Sequence, residues 1–162
     1  LEDSLHTLAY LSQIARDENG TDLKAIVADI LAVARRNNAA VGVTGALLCS
    51  SGWFAQVLEG SQYAVESIFE AIQMDKRHRD ITVLFFRPLE NRHFGSWSMA
   101  LAGLSDAAVG PLNFDGLLAD PRGIDTGKFG RDIVKILTDL ISRQEVAGTV
   151  DRCPIVAVRV CC

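Results

Sequence analysis

Gln56 stands between Phe54 and Leu58 in the run FAQVLEG, Phe54 to Gly60. In an extended segment side chains alternate, so Phe54, Gln56 and Leu58 share one face while Trp53, Ala55 and Val57 share the other. A buried primary amide has two donors and an acceptor to satisfy, and leaving them unpaired costs about 1–3 kcal/mol. A polar partner is therefore expected opposite Gln56, either another side chain or a neighbouring backbone group. Other residues able to do chemistry fall at element ends or on strands. Asn37 and Asn38 close the first predicted helix, and Arg77 and His78 close the second. Tyr10, Trp97 and Met99 come from two further strands, with Tyr10 and Gln56 able to face the helices. Each has an ordinary structural role available: a helix C-cap for the Asn pair, a solvated turn for Arg77 and His78, core filling for the rest. Taken together they describe a slot between two helices, floored by a sheet, with amides on one edge and cations at its mouth. Such a slot suits a planar heteroaromatic ligand with imide-type edges and a phosphate tail.

The elements that must position these residues follow from periodicity. Leu5 to Ser12 reads as a first strand with Leu8 and Tyr10 on one face, followed by the loop SQIARDENGTD. Thr21 or Asp22 caps a helix in which Leu23, Ile26, Val27, Ile30, Leu31 and Ala34 recur with helical spacing, ending near Arg35 to Asn38. Val43 to Cys49 and Trp53 to Leu58 form a hairpin around Ser50-Ser51-Gly52. A second helix carries the stripe Val65, Ile68, Phe69 and Ile72 and closes in the polar cluster Met74 to Arg79. Ile81 to Phe86 is a strand stopped by Pro88, and Trp97 to Leu101 a fifth strand with Trp97, Met99 and Leu101 on one face. The order βαββαββ predicts an α+β, ferredoxin-like sheet with two helices on one face. Beyond Gly103, one short helix is predicted within Ser105 to Asp120. An amphipathic helix of about four turns runs from Lys128, capped by Thr126, with Phe129, Ile133, Ile136, Leu137, Leu140 and Ile141 as its stripe. That helix is expected to cover the other sheet face. The predicted division is 1–103 for the sheet domain, 104–146 for a helical extension, and 147–162 for a tail or linker.

Composition narrows the class. With 49% hydrophobic and 22% charged residues, the 162-residue chain is an ordinary globular one. A net charge of −4 and a pI near 5.3 argue against nucleic acid as the main partner. No apolar run reaches the roughly 18–20 residues a membrane span needs. LEDSLHTLAYL lacks the basic flank of a signal peptide, and a cytoplasmic protein with reduced thiols is expected. Cys49 lies in a strand, while Cys153, Cys161 and Cys162 crowd the tail without CxxC spacing, so no metal site is expected.

From about Leu5 to Leu101 the sequence resembles the BLUF family, the blue-light sensors that use flavin. The resemblance is carried by LAYLS around Tyr10, NNAAVGVTG from Asn37 to Gly45, and FAQVLEG. DKRHRDI from Asp75 to Ile81 and RHFGSWSM from Arg92 to Met99 complete it, all five blocks standing in the family's order. A longer loop after Tyr10, RDENGTD, is the visible departure. The resemblance implies non-covalent FAD, with FMN or riboflavin as alternatives, its ring held between the two helices. It makes Tyr10 the electron donor, Gln56 the switching amide and Asn38, beside Asn37, the contact to the flavin edge. Arg77 and His78 match positions that contact the ring or the phosphate tail, and Trp97 and Met99 match residues that exchange places or pack near the glutamine. It further implies that Gln56 rotates or tautomerises under light, giving a red-shifted state. The chain would then be a sensor and not an enzyme, working as a homo-oligomer and read by an effector such as a cyclic-nucleotide enzyme or regulator. Two alternatives are an acylphosphatase-type hydrolase and a cofactor-free ferredoxin-like interaction module. The first needs a Gly-rich phosphate cradle after strand one, where this chain has SQIARDENG.

Overall fold

The computed structural model describes residues 4–15, 20, 22–50, 52–102 and 125–146. Five strands form one sheet: β1 (Leu5–Ile14), β2 (Thr44–Ser50), β3 (Trp53–Ser61), β4 (His78–Pro88) and β5 (Ala100–Ala102). Helix α1 (Leu23–Ala40) joins β1 to β2, α2 (Gln62–Gln73) joins β3 to β4, and α3 (Thr126–Val146) follows β5. The spatial order is β4-β1-β3-β2-β5, antiparallel except for the parallel β2–β5 pair. Helices α1 and α2 each cross over one inserted strand, which gives the ferredoxin-like arrangement with an added edge strand.

The helix starts are set by short polar side chains. Asp22 accepts from Lys24 N at 3.3 Å to cap α1, and Ser61 accepts from Ala64 N at 3.3 Å to cap α2. For α3 the cap is Asp125, whose Oδ1 accepts from Lys128 N at 2.9 Å, and not Thr126, which is its first residue. At 21 residues α3 runs about six turns, longer than the periodic stripe indicated.

Alternation divides the apolar residues between two cores. On one face Leu8, Tyr10, Leu47, Phe54 and Leu58 meet Val27, Ile30 and Leu31 of α1 and Val65 and Phe69 of α2. On the other, Leu11, Leu48, Trp53, Ala55, Val57 and Leu84 meet Ile133, Leu137 and Ile141 of α3, so α3 covers the second face as its stripe predicts. Gly130 allows the close approach of α3 to β4, since a Cβ there would lie 2.5 Å from the Phe85 ring. The predicted helix within Ser105 to Asp120 and the tail from 147, with Cys153, Cys161 and Cys162, lie outside the described residues. Cys49 is buried and free. Among the described residues no helix is long and apolar enough to cross a membrane.

Several boundaries differ from the sequence reading, among them that of β5, which begins at Ala100 and not Trp97. Strand β1 continues through Ile14, and β4 begins at His78 rather than Ile81. His78 pairs with Ile14 and Arg79 with Gln13, so part of the expected polar turn is a strand end. Helix α2 stops at Gln73, and Arg77 and His78 lie beyond it.

Candidate functional site

Tyr10 on β1 and Gln56 on β3 are direct cross-strand partners, which places both side chains on the α1/α2 face. The Tyr10 hydroxyl donates to Gln56 Oε1. Gln56 Nε2 in turn donates to Met99 Sδ at 3.4 Å. The partner expected opposite Gln56 is thus a phenol and a thioether, not backbone. Tyr10 and Met99 are 0% and 1% exposed and Gln56 2%, so this chain of groups is sealed from water except where Gln56 reaches the cleft above it. Burial first, and the charge of Asp75 second, push the Tyr10 phenol well above its ordinary pKa. Tyr10 is therefore protonated at neutral pH, with its hydroxyl directed at Gln56.

Between α1 and α2 an open cleft with about 460 Å³ of empty space is lined by Ile30, Ala34, Asn38, Gln56, Ile72 and His78, among others. Asn38 falls on the buried stripe of α1, eleven residues after Val27, and is 1% exposed. Its Nδ2 donates to Ser98 O at 2.8 Å, and its Oδ1 has no protein partner. A buried acceptor left without a partner costs about 1–3 kcal/mol, so it calls for a donor from a ligand. Asn37 also lines the cleft but is exposed, accepting weakly from Arg36 Nε at 3.4 Å. An apolar-walled slot with an orphaned amide oxygen and a second amide at its floor fits a flat ring carrying N–H and C=O edges.

His78 and Arg77 reach the same cleft from the turn and strand after α2. His78 Nδ1 shares a hydrogen with Ser12 Oγ at 2.8 Å, and its ring lies 5.0 Å from that of Phe54. Arg77 at the mouth is held by Asp75: Nη2 donates to Oδ2 at 2.6 Å and Nε to Oδ1 at 2.9 Å. This pair raises the Arg77 pKa through its hydrogen bonds to Asp75. Burial alone would raise Asp75, but the bonds and charge of Arg77 outweigh it and hold the carboxyl below its usual range. The mouth is therefore a paired cation and anion, not the bare cations the sequence suggested.

Burial is the main cause that lowers His78 to about 4; Asp75 opposes it and Arg77 reinforces it. In the unfolded chain a histidine binds its proton below about pH 6.5, so between these values the unfolded state holds more protons. Stability from this group is complete above about 6.5 and is lost as pH falls towards 4. Going from about pH 7 to about pH 5 is expected to cost about 2 kcal/mol, read by urea denaturation, and His78→Gln should flatten that slope.

Trp97 departs from its predicted place. It packs with Trp53, Phe94 and Leu137 on the α3 face, while Met99 packs on the Gln56 face. The reason is a turn before β5: Trp97 N bonds Phe94 O at 3.0 Å, and Trp97 O accepts from Gly45 N at 3.0 Å. Strand alternation holds only from Met99 onwards. The structure brings together Tyr10, Asn38, Gln56, His78, Arg77 and Met99, leaves Asn37 at the rim and puts Trp97 behind the sheet. It also adds residues that sequence reasoning missed. Asp75 pairs Arg77, and Ser12, two residues beyond Tyr10 on the same face, fixes His78. Arg35 Nε donates to Met99 O at 3.1 Å, tying α1 to the residue that contacts Gln56. Gly45 is required where β2 meets Met99, since a Cβ there would lie 2.2 Å from Val57 O and 3.3 Å from Met99 Cε.

The family model for sensors of blue light using FAD matches residues 5–100. The photoactivated adenylate cyclase subunit alpha of Euglena gracilis is 41% identical over 95 residues, which is 59% of this chain and 9% of that protein. Subunit beta of the same organism is 38% identical over 102 residues, 62% of this chain and 11% of that protein. The chain thus spans about a tenth of the length of these relatives. Among solved structures, the dark state of BlrB, a BLUF protein, has a TM-score of 0.65 at 29% identity, covering 83% of this chain and 98% of that one. The BlsA ground state has a TM-score of 0.68 at 27% identity, covering 96% and 95%. With a flavin-binding sensor family matched across the whole sheet, the hydrolase and cofactor-free alternatives fall away, and the chain belongs to the BLUF family of flavin-based blue-light sensors.

Proposed function

We propose that this chain is a blue-light photoreceptor that binds FAD non-covalently between α1 and α2, with Tyr10 and Gln56 as its switch. The observation that carries the reading is the buried chain Tyr10–Gln56–Met99 at the floor of a cleft whose wall holds the unpartnered Asn38 Oδ1. Bound flavin supplies the blue-absorbing chromophore and, once excited, a strong oxidant. Asn38 and Gln56 offer the amides that orient an imide edge, and His78, kept neutral by burial, adds an aromatic wall. Tyr10 gives up an electron, and its hydroxyl proton leaves along the existing bond to Gln56 Oε1. When both return, Gln56 settles rotated or as its tautomer. A rotated amide turns its oxygen towards the Met99 sulfur, which is an acceptor too, so the Gln56–Met99 bond cannot survive.

That loss gives the signal a direction. Met99 is also held by Arg35, and its neighbour Ser98 by Asn38, so α1 and Gln56 act on the same two residues. Trp97, next in the chain, belongs to the core beneath α3. We infer that light alters the packing of α3, or a homo-oligomer built on it, and that a separate effector such as a cyclic-nucleotide enzyme or regulator reads the change. The protein then works in the cytoplasm, where a buried free thiol such as Cys49 stays reduced. Hydrogen exchange in dark and light is expected to show changed protection in α3. Change confined to the flavin cleft would remove this route.

Reconstitution with FAD, FMN and riboflavin tests the binding half. A yellow protein retaining oxidised flavin is expected, and a chain that takes up none of the three contradicts the reading. Arg77 keeps Nη1 free of Asp75 and is assigned to the phosphate tail. Arg77→Ala is expected to weaken FAD and FMN by about tenfold or more, since a charge-assisted bond contributes about 1.5–3 kcal/mol, and to leave riboflavin nearly unchanged. Equal loss for all three, measured by equilibrium titration, would take Arg77 out of that role.

A further inference from the structure

Where α3 lies over the edge strand β4, a second open cleft of about 680 Å³ is bounded by β4, α3 and the loop that carries His93. Arg87 enters it from β4, and Arg131 and Lys135 enter it from α3. Among the described residues none of these three makes an ion pair, whereas Lys128 on the same helix pairs with Asp132 at 2.9 Å. Arg131 and Lys135 stand four residues apart, a spacing at which like charges repel and weaken a helix. The Arg87 guanidinium lies 4.4 Å over the Phe85 ring, so an aromatic face and not a carboxylate sets its position. His93 turns Nδ1 inwards to the buried carboxylate of Glu59 at 2.8 Å. Asp139 is the one carboxylate among the lining residues. A chain of net charge −4 thus gathers three cations, without an ion pair among the described residues, around one concavity.

We infer that this cleft docks an acidic segment of a partner protein. Charge complementarity names the chemistry, because unpaired cations held in a groove attract and orient carboxylates. The groove is open and its walls come from three elements, unlike the enclosing pockets that bury small ligands. A confined patch on an acidic chain is likewise a poor nucleic-acid footprint. The position suits a reader of the sensor: His93 adjoins Phe94, which packs with Trp97 and Leu137. Light dependence of docking rests on the switch proposed above; docking in the dark does not.

The test uses the flavin-loaded full chain in the dark and a labelled deca-glutamate peptide, followed by fluorescence anisotropy at low salt. Saturable binding is expected, weakened about tenfold by Arg87→Glu or Lys135→Glu, equivalent to about 1.4 kcal/mol. Lys24→Glu makes the same charge change on α1, far from the cleft, and is expected to alter binding less than about twofold. Docking is read in the dark and the switch by the light-minus-dark spectrum of the same sample, so failure of the light switch and failure of docking give different results. No binding, or equal weakening by Lys24→Glu, would overturn the inference. So would tighter binding of pyrophosphate or a short single-stranded RNA at the same residues, since either names a different ligand.

Discussion

Tyr10→Phe is expected to bind flavin like the native chain and to show no red shift under blue light. The ring packs 5.3 Å from Phe69 and is fully buried, and the substitution keeps that packing. What it removes is the hydroxyl that donates to Gln56 Oε1 and supplies the proton. Gln56 Oε1 loses a partner inside the core, so a stability cost of about 1–3 kcal/mol should accompany the lost photochemistry. Gln56→Leu should likewise bind flavin without forming a red-shifted state, because no amide remains to rearrange between Tyr10 and Met99. Absorbance before and after illumination decides both. A normal red shift in either variant would separate the switch from these two residues.

Glu59→Ala should give the largest stability loss, about 3 kcal/mol or more in urea or thermal unfolding. The Glu59 side chain is wholly buried on the α3 face. Its carboxylate accepts from His93 N at 3.1 Å, His93 Nδ1 at 2.8 Å and Phe94 N at 2.9 Å. Arg92 adds bonds to Glu59 O at 2.6 Å, Gly42 O at 2.8 Å and Thr44 Oγ1 at 2.8 Å, so the segment before β5 is latched to β2 and β3. Removing the carboxylate strands two backbone N–H groups and opens a cavity beside Phe94. Glu59→Gln keeps one accepting oxygen and should cost less than Glu59→Ala. A loss under about 1 kcal/mol for Glu59→Ala would mean that water or a neighbour replaces the carboxylate.

The parts of the site that follow a regular period were legible in the sequence. Gln56 breaks an apolar face of alternation two, and Tyr10 sits in phase with Leu8 on the strand that proves to be its neighbour. Asn38 continues the helical stripe of Val27, Leu31 and Ala34, which is why a polar residue there is buried. What period could not carry is where the period stops. Trp97 is two residues from Met99 and by alternation would share its face, yet the Phe94–Trp97 turn reverses it. His78 and Arg79 look like a solvated turn because β4 is an edge strand, where polar side chains and a positive φ at Asp80 are tolerated. Thr126 and Asp125 are both good cap formers, and only the backbone at the helix start chooses between them. The Asp75–Arg77 pair joins residues two apart in a turn, a contact no helix or strand spacing anticipates.

The most direct test of the switch is a light-minus-dark absorption spectrum of the flavin-loaded native chain. The arrangement of Tyr10, Gln56 and Met99 predicts a small red shift of the flavin band under blue light, with reversal in the dark. A flavin-loaded protein whose spectrum is the same before and after illumination would contradict it.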